Sequence, residues 1–141
     1  MKILEVDTEK RRIGNLGENA AAALLKKKKY KILERNFADS GNEIDIIAEN
    51  KECVAFVEVK TRSAREDDTS PYRPASSVTP DKMRKIIRAA RYYAARHKIS
   101  KPMRLDVIEV YLSDRKITST VHMEGAFTAD TARKNYTKGS I

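Results

Sequence analysis

At 141 residues the chain can bury one core but not two. Apolar residues make up 40% and charged residues 35%, which excludes wholesale disorder, and no apolar run approaches the roughly 18 residues of a membrane span. Lys and Arg outnumber Asp and Glu by 29 to 20, and the resulting charge of +9 favours an anionic partner. A single cysteine, Cys53, excludes an internal disulfide and fits a small buried residue at a strand start. With only His97 and His122 besides, a structural zinc site cannot be assembled. The opening MKILEVDTEKRR has no signal-peptide apolar stretch, so a cytoplasmic protein without a membrane partner is expected.

Taken in order, Asp7 or Thr8 should cap a helix reaching about Lys29, with Ile13, Leu16, Ala20, Ala23 and Leu24 on its apolar face. Lys26 to Lys29 suit the negative end of its dipole. Ile32 to Phe37 reads as a strand, and Ala38 to Asn42 as a polar turn. Two strands follow, Glu43 to Ala48 and Val54 to Arg62, around a tight turn at Asn50-Lys51. Residues 63 to 79 read as a mobile loop. Thr79-Pro80-Asp81 starts a second helix running to about His97, with Met83, Ile86, Ile87, Ala90 and Ala94 inward. Met103 to Leu112 and Lys116 to Met123 form a hairpin around Ser113-Asp114. The order predicts one α/β (α+β) domain over residues 1 to 127, with a mixed sheet, and a polar tail over 128 to 141.

If the Asn50-Lys51 turn pairs Glu49 with Glu52, Asp45 lies opposite Phe56 and Glu43 opposite Glu58. Alternation then puts Glu43, Asp45, Phe56, Glu58 and Lys60 on one face, with Asp45 and Glu58 diagonal neighbours roughly 7–8 Å apart. Ile44, Ile46, Ala48, Ala55, Val57 and Val59 form the opposite, core face. Three carboxylates on a mostly apolar hairpin face repel one another. A hard divalent cation with oxygen ligands would resolve the conflict, and the Val59 carbonyl would add an oxygen. The plainer alternative is a set of solvated charges, and a one-residue change of register would separate Asp45 from Glu58. Lys60 likewise reads either as a salt bridge to Glu58 or as a cation beside a reacting phosphate.

Asp45, twelve intervening residues and Glu58-Val59-Lys60 match the D…E-x-K pattern of restriction-endonuclease-like nucleases. The wider series is LGENAAAALL (16–25), KILERNF (31–37), GNEIDIIA (41–48), VAFVEVKTR (54–62), Val78 with Lys82, RLDVIEV (104–110) and HMEGAF (122–127). In that order it resembles the YraN-like family of small bacterial proteins, itself similar to Holliday-junction resolvases. The likeness implies a restriction-endonuclease-like five-stranded mixed sheet flanked by helices, with the PD-(D/E)-x-K nuclease core. It implies Asp45 and Glu58 as ligands of Mg²⁺ or Mn²⁺, Glu18 as a further acidic ligand, and Lys60 beside the attacked phosphate. The resemblance to resolvases also implies a homodimer. Lys29 stands where that family often ends the first helix with glycine.

Other candidates follow from pattern. Lys82, Lys85, Arg88 and Arg91 recur at helical spacing opposite an apolar stripe, as phosphate contacts or as a solvated face. Glu43 and Arg62 flank the motif as further site candidates. Asp106 is expected to be a buried acid paired with Arg104 or another base. Tyr92, Tyr93, Phe37 and Phe127 are expected in packing rather than base stacking. The expected activity is phosphodiester hydrolysis in DNA, branched or junction DNA included. The alternatives are a non-cleaving nucleic-acid-binding module on the same fold and an interaction protein whose basic helix meets an acidic partner or membrane.

Overall fold

The computed structural model describes residues 2–63 and 78–132, with side chains described from Thr8 onward. Helix α1 (Lys2–Lys27) leads to strands β1 (Lys31–Asp39), β2 (Asn42–Glu49) and β3 (Val54–Ser63). Helix α2 (Pro80–Arg96) then precedes β4 (Met103–Ser113) and β5 (Lys116–Met123). The strands form one sheet in chain order. β1, β2 and β3 run antiparallel in turn, β3 and β4 are parallel, and β5 returns antiparallel on β4. α2 is the crossover that the parallel β3–β4 pair requires. The fold is α+β, as the sequence predicts. Most of the expected 63 to 79 loop, and the chain beyond 132, lie outside the described residues. Among the described residues no helix is long and apolar enough to cross a membrane.

Each helix covers one sheet face, so the sheet is buried on both sides near its centre. Ala21, Ala22 and Leu25 of α1 pack on Ile46, Ala48, Ala55, Val57, Ile108 and Val110. Ile86, Ile87, Ala90 and Tyr93 of α2 pack on Ile47, Val54, Phe56 and Val107. Phe127 is buried on the α2 side as well, Phe37 is packed against that cluster, and Tyr92 is 42% exposed. The apolar Ile47–Val54–Phe56 patch therefore belongs to the α2-side layer of the domain's core rather than to a wet sheet surface.

Several local readings are corrected. α1 begins at Lys2, so neither Asp7 nor Thr8 caps it. Its buried stripe is Gly17, Ala21 and Leu25 with Ala22, while Leu16 is 36% exposed and Ala23 is exposed. Ala20 and Leu24 of the expected face pack at the edge of this cluster. α1 ends in a Schellman arrangement: the Tyr30 N–H donates to Leu25 O and the Lys29 N–H to Lys26 O, with Lys29 at φ 73°. The β4–β5 turn is Asp114-Arg115, both at positive φ, one residue later than predicted. By contrast α2 starts as expected: Thr79 is the N-cap, its Oγ1 accepts from the Lys82 N–H at 3.2 Å, and Pro80 opens the helix. Residues Thr128 to Ala132 pack back on α2, where Arg84 donates to the Ala132 carbonyl at 2.7 Å.

Candidate active site

The β2–β3 connection sets the geometry. It is a four-residue loop, Asn50 to Cys53, rather than a two-residue turn. Asn50 Oδ1 accepts from the Glu52 and Cys53 N–H groups at 2.9 Å each, and the Asn50 N–H donates to Cys53 O at 3.0 Å. This Asx-type closure leaves Glu49 opposite Val54 and Ile47 opposite Phe56. The register is thus displaced by two residues from the predicted one. Because strand side chains alternate with period two, an even displacement keeps the residues of the paired ladder, Ile46 to Glu49 and Val54 to Val57, on their expected faces. Phe56 therefore faces Ile47 rather than Asp45, and Asp45 and Glu58 lie just past the end of the paired ladder.

The paired ladder runs from Glu49–Val54 to Ile46–Val57. Just past it the Val59 N–H donates to Asp45 Oδ2 at 2.8 Å, so a side chain bridges the strands where they part. On the other flank Asn36 of β1, facing the same point, adopts φ 53°. Ile44 joins the α2-side cluster whereas Ile46 belongs to the α1 side. The expected alternation of Ile44 with Ile46 is therefore broken at Asp45, whose carboxylate is directed toward β3.

Four elements bring charge to this point. Glu58 on β3 is 5% exposed, and its Oε1 faces Lys60 Nζ and Lys82 Nζ at 3.5 Å each. Glu18 reaches in from α1, and Arg35 of β1 lies 3.3 Å from its Oε1. Its approach depends on Gly17, where a Cβ would meet Thr61 Oγ1 at 2.0 Å. Only glycine lets α1 sit that close to β3, and the motif resemblance is the only signal for Glu18 in the sequence. Burial, then the Glu58 charge, pushes the Asp45 carboxyl up to about 6. Glu18 pushes the same way, while the Val59 N–H and Lys82 act against it.

Asp45, Glu58, Lys60 and Glu18 thus share one locus, with the Val59 main chain at its rim. Lys82 joins them, although its spacing had grouped it with a surface stripe. Glu43 is exposed and is not among the principal charges acting on Asp45. Arg62 is drawn to β4, where its Nε lies 2.8 Å from Glu109 Oε2. Lys85, Arg88 and Arg91 are exposed along α2, and Lys85 lies 3.6 Å from Asp81. Buried Glu109, which also accepts from Tyr111 Oη at 3.2 Å, was not anticipated.

Asp106 forms a second, separate acid centre. It is fully buried and accepts from Arg104 Nε and Nη2 at 2.8 and 2.9 Å, from His122 Nε2 at 2.8 Å and from the Gly125 N–H at 3.0 Å. Burial pushes its carboxyl up, but these donors outweigh burial and bring it down to about 2. His122 Nδ1 faces Lys28 Nζ at 2.7 Å; an ammonium only donates, so the imidazole proton sits on Nε2 and points at Asp106. The predicted partnership with Arg104 holds, and a histidine and a main-chain donor complete it.

Fold and site together define an α+β domain with an acid–lysine cluster at the opening of its β2–β3 pair, between the two helical layers. Residues 17–110 match the uncharacterised protein family UPF0102. The chain belongs to that family. A UPF0102 protein of Caldanaerobacter subterraneus subsp. tengcongensis is 42% identical over 110 residues, covering 77% of this chain and 87% of the relative. One from Clostridioides difficile is 41% identical over 115 residues, covering 81% and 95% respectively. A third, from Clostridium perfringens, is 46% identical over 99 residues, covering 70% and 78%.

Proposed function

We propose that this protein is a divalent-metal-dependent endonuclease that hydrolyses phosphodiester bonds in DNA, branched or junction DNA in particular. One observation carries the reading: carboxylates from α1, β2 and β3 converge with two lysines where the sheet opens, and Asp45 there is held well above the usual carboxylate range. A fold gains nothing in stability from such repulsion, so the arrangement points to a ligand that relieves it.

The donor set suits a hard cation. Among the described residues no three His, Cys, Asp or Glu side chains are preassembled as a metal-holding group. Mg²⁺ does not require that, since it commonly takes one or two carboxylates and fills its octahedron with water and substrate phosphate. Asp45 and Glu58 would hold it, with Glu18 and the Val59 carbonyl adjacent. When bound, the cation would acidify water and polarise a phosphoryl oxygen. The chain's own contribution is positional and electrostatic. The Val59 N–H orients Asp45, and Lys60 presents a compact charge where negative charge grows on the phosphate. Exposed Lys85, Arg88 and Arg91 supply sequence-independent backbone contacts, in keeping with the charge of +9.

The two ammonium groups already facing Glu58 favour a second reading, a non-cleaving nucleic-acid-binding module in which the cluster is a structural ion network. One assay separates the two. Linear, single-stranded, flap and four-way DNA are incubated with Mg²⁺, Mn²⁺ or chelator. Cleavage should require metal. Asp45→Asn, Glu58→Gln and Lys60→Ala should each lower it by at least on the order of 100-fold while DNA affinity stays within about threefold. Cleavage that persists in chelator, or in Asp45→Asn, would sink the assignment.

A further inference from the structure

Lys82 breaks a local rule. With Thr79 as N-cap and Pro80 and Asp81 following, Lys82 occupies the third position of α2, where Glu or Gln is the usual choice and a cation opposes the helix dipole. A residue that contradicts its local environment without a local benefit marks a functional demand. Its backbone is pinned, because Thr79 Oγ1 accepts its N–H at 3.2 Å and Val78, just before the cap, is 2% exposed. Its side chain is not pinned. It is 45% exposed and extends from α2 to Glu58 Oε1.

The charge balance says what this is for. Around the locus stand three carboxylates, Glu18, Asp45 and Glu58, and three cations, Arg35, Lys60 and Lys82. The set is neutral as it stands. A divalent cation would leave two positive charges in excess. A phosphodiester carries one negative charge and gains a second as hydroxide adds to phosphorus, which matches that excess. Lys60 and Lys82 both face the same oxygen of Glu58, so a cation arriving on that carboxylate competes with two ammonium groups for its charge. Lys82, the more exposed of the two, is the one free to swing.

Resting on the nuclease reading above, we infer that Lys82 is part of the reaction centre, a second phosphate-directed ammonium. It occupies Glu58 in the resting protein and transfers to the substrate phosphate when metal and DNA arrive. It is therefore functionally distinct from Lys85, Arg88 and Arg91, which follow the DNA backbone. A corollary is that metal and DNA each raise the other's affinity, since neither alone leaves the locus balanced.

The test uses the full-length protein, with Mn²⁺ and a four-way DNA junction as probes. Mn²⁺ affinity is measured by calorimetry on the parent, Lys82→Gln, Lys82→Arg and Lys85→Gln. Lys82→Gln should bind Mn²⁺ alone about 3- to 10-fold more tightly, because a competing charge has gone. Its single-turnover cleavage at saturating DNA should nonetheless fall on the order of 100-fold, and Lys82→Arg should restore part of the rate. Lys85→Gln should weaken DNA binding and lower the salt slope by roughly one, with Mn²⁺ affinity unchanged. If the parent binds no Mn²⁺, the metal-dependent reading fails and this inference with it. If the parent binds Mn²⁺ but Lys82→Gln has the same Mn²⁺ affinity, the inference alone is overturned, whether or not the parent cuts.

Discussion

Two acids of the same sheet, half-buried Asp45 on β2 and fully buried Asp106 on β4 with β3 between them, behave in opposite ways. Asp45 on β2 has one main-chain donor and two carboxylate neighbours, and its carboxyl is pushed up to about 6. Asp106 on β4 is more deeply buried, yet four donor groups on Arg104, His122 and Gly125 bring it down to about 2. Burial alone therefore does not distinguish a functional acid from a structural one. The donor set does: Asp106 has its hydrogen-bonding capacity satisfied by protein, whereas Asp45 has a single main-chain donor, which leaves it open to the proposed metal.

The largest effect should come from removing the satisfied acid. Asp106→Asn leaves Arg104 and the Gly125 N–H without their charged acceptor and should destabilise the fold by about 2–4 kcal/mol, read as a lower urea midpoint at pH 7. A change below about 0.5 kcal/mol would erase the contrast. The sign with pH follows from the depressed carboxyl. The contribution of Asp106 is fully present above the ordinary carboxylate range near 4 and is lost as pH falls through that range toward about 2.

Asp45 should respond in the opposite sense. Its folded-state carboxyl titrates near 6 and the unfolded one near 4, so in chelator stability should rise as pH falls from 7 toward 4. The contributions of Asp45 and Asp106 together should accordingly be largest near pH 4 in chelator. Asp45→Asn keeps an oxygen for the Val59 N–H and removes the repelled charge. It should gain about 1–3 kcal/mol at pH 7 in chelator and lose the high-pH decline. Metal supplies the complement. For a millimolar affinity, 10 mM Mg²⁺ would stabilise the parent by about 1.4 kcal/mol, and the variant should lose most of that gain. A variant that melts lower in chelator and keeps the full metal response would make Asp45 a structural acid like Asp106.

The smallest effect probes the scaffold beside the Asp106 centre. Lys29 holds a left-handed conformation at the end of α1, next to Tyr30, whose hydroxyl accepts from Arg104. Lys29→Gly should stabilise the protein by about 0.5–1 kcal/mol in thermal denaturation, because glycine carries no Cβ penalty there. The gain should be indifferent to metal, unlike that from Asp45→Asn.

Period-two alternation told which residues of β2 and β3 share a face, so Asp45 and Glu58 were legible as neighbours even though the turn was read two residues short. Thr79-Pro80-Asp81 likewise announced α2 by chemistry confined to one helical turn. What lay beyond the sequence was every distance set by side chains from remote segments. The length of the β2–β3 loop depended on Asn50 folding its amide over Glu52 and Cys53. The buried stripe of α1 was decided by how closely Gly17 meets Thr61, a contact between residues 44 positions apart. Asp106 could be read as paired, but His122 and Gly125 join it only because β5 folds back on β4. Lys82 shows the limit most plainly. Spacing puts it on a stripe with Lys85 and Arg88, and only the packing of α2 against β3 brings its ammonium to Glu58. Local pattern reports periodicity and caps, whereas the charge a carboxylate meets across the fold is set by three-dimensional packing that no window of sequence contains.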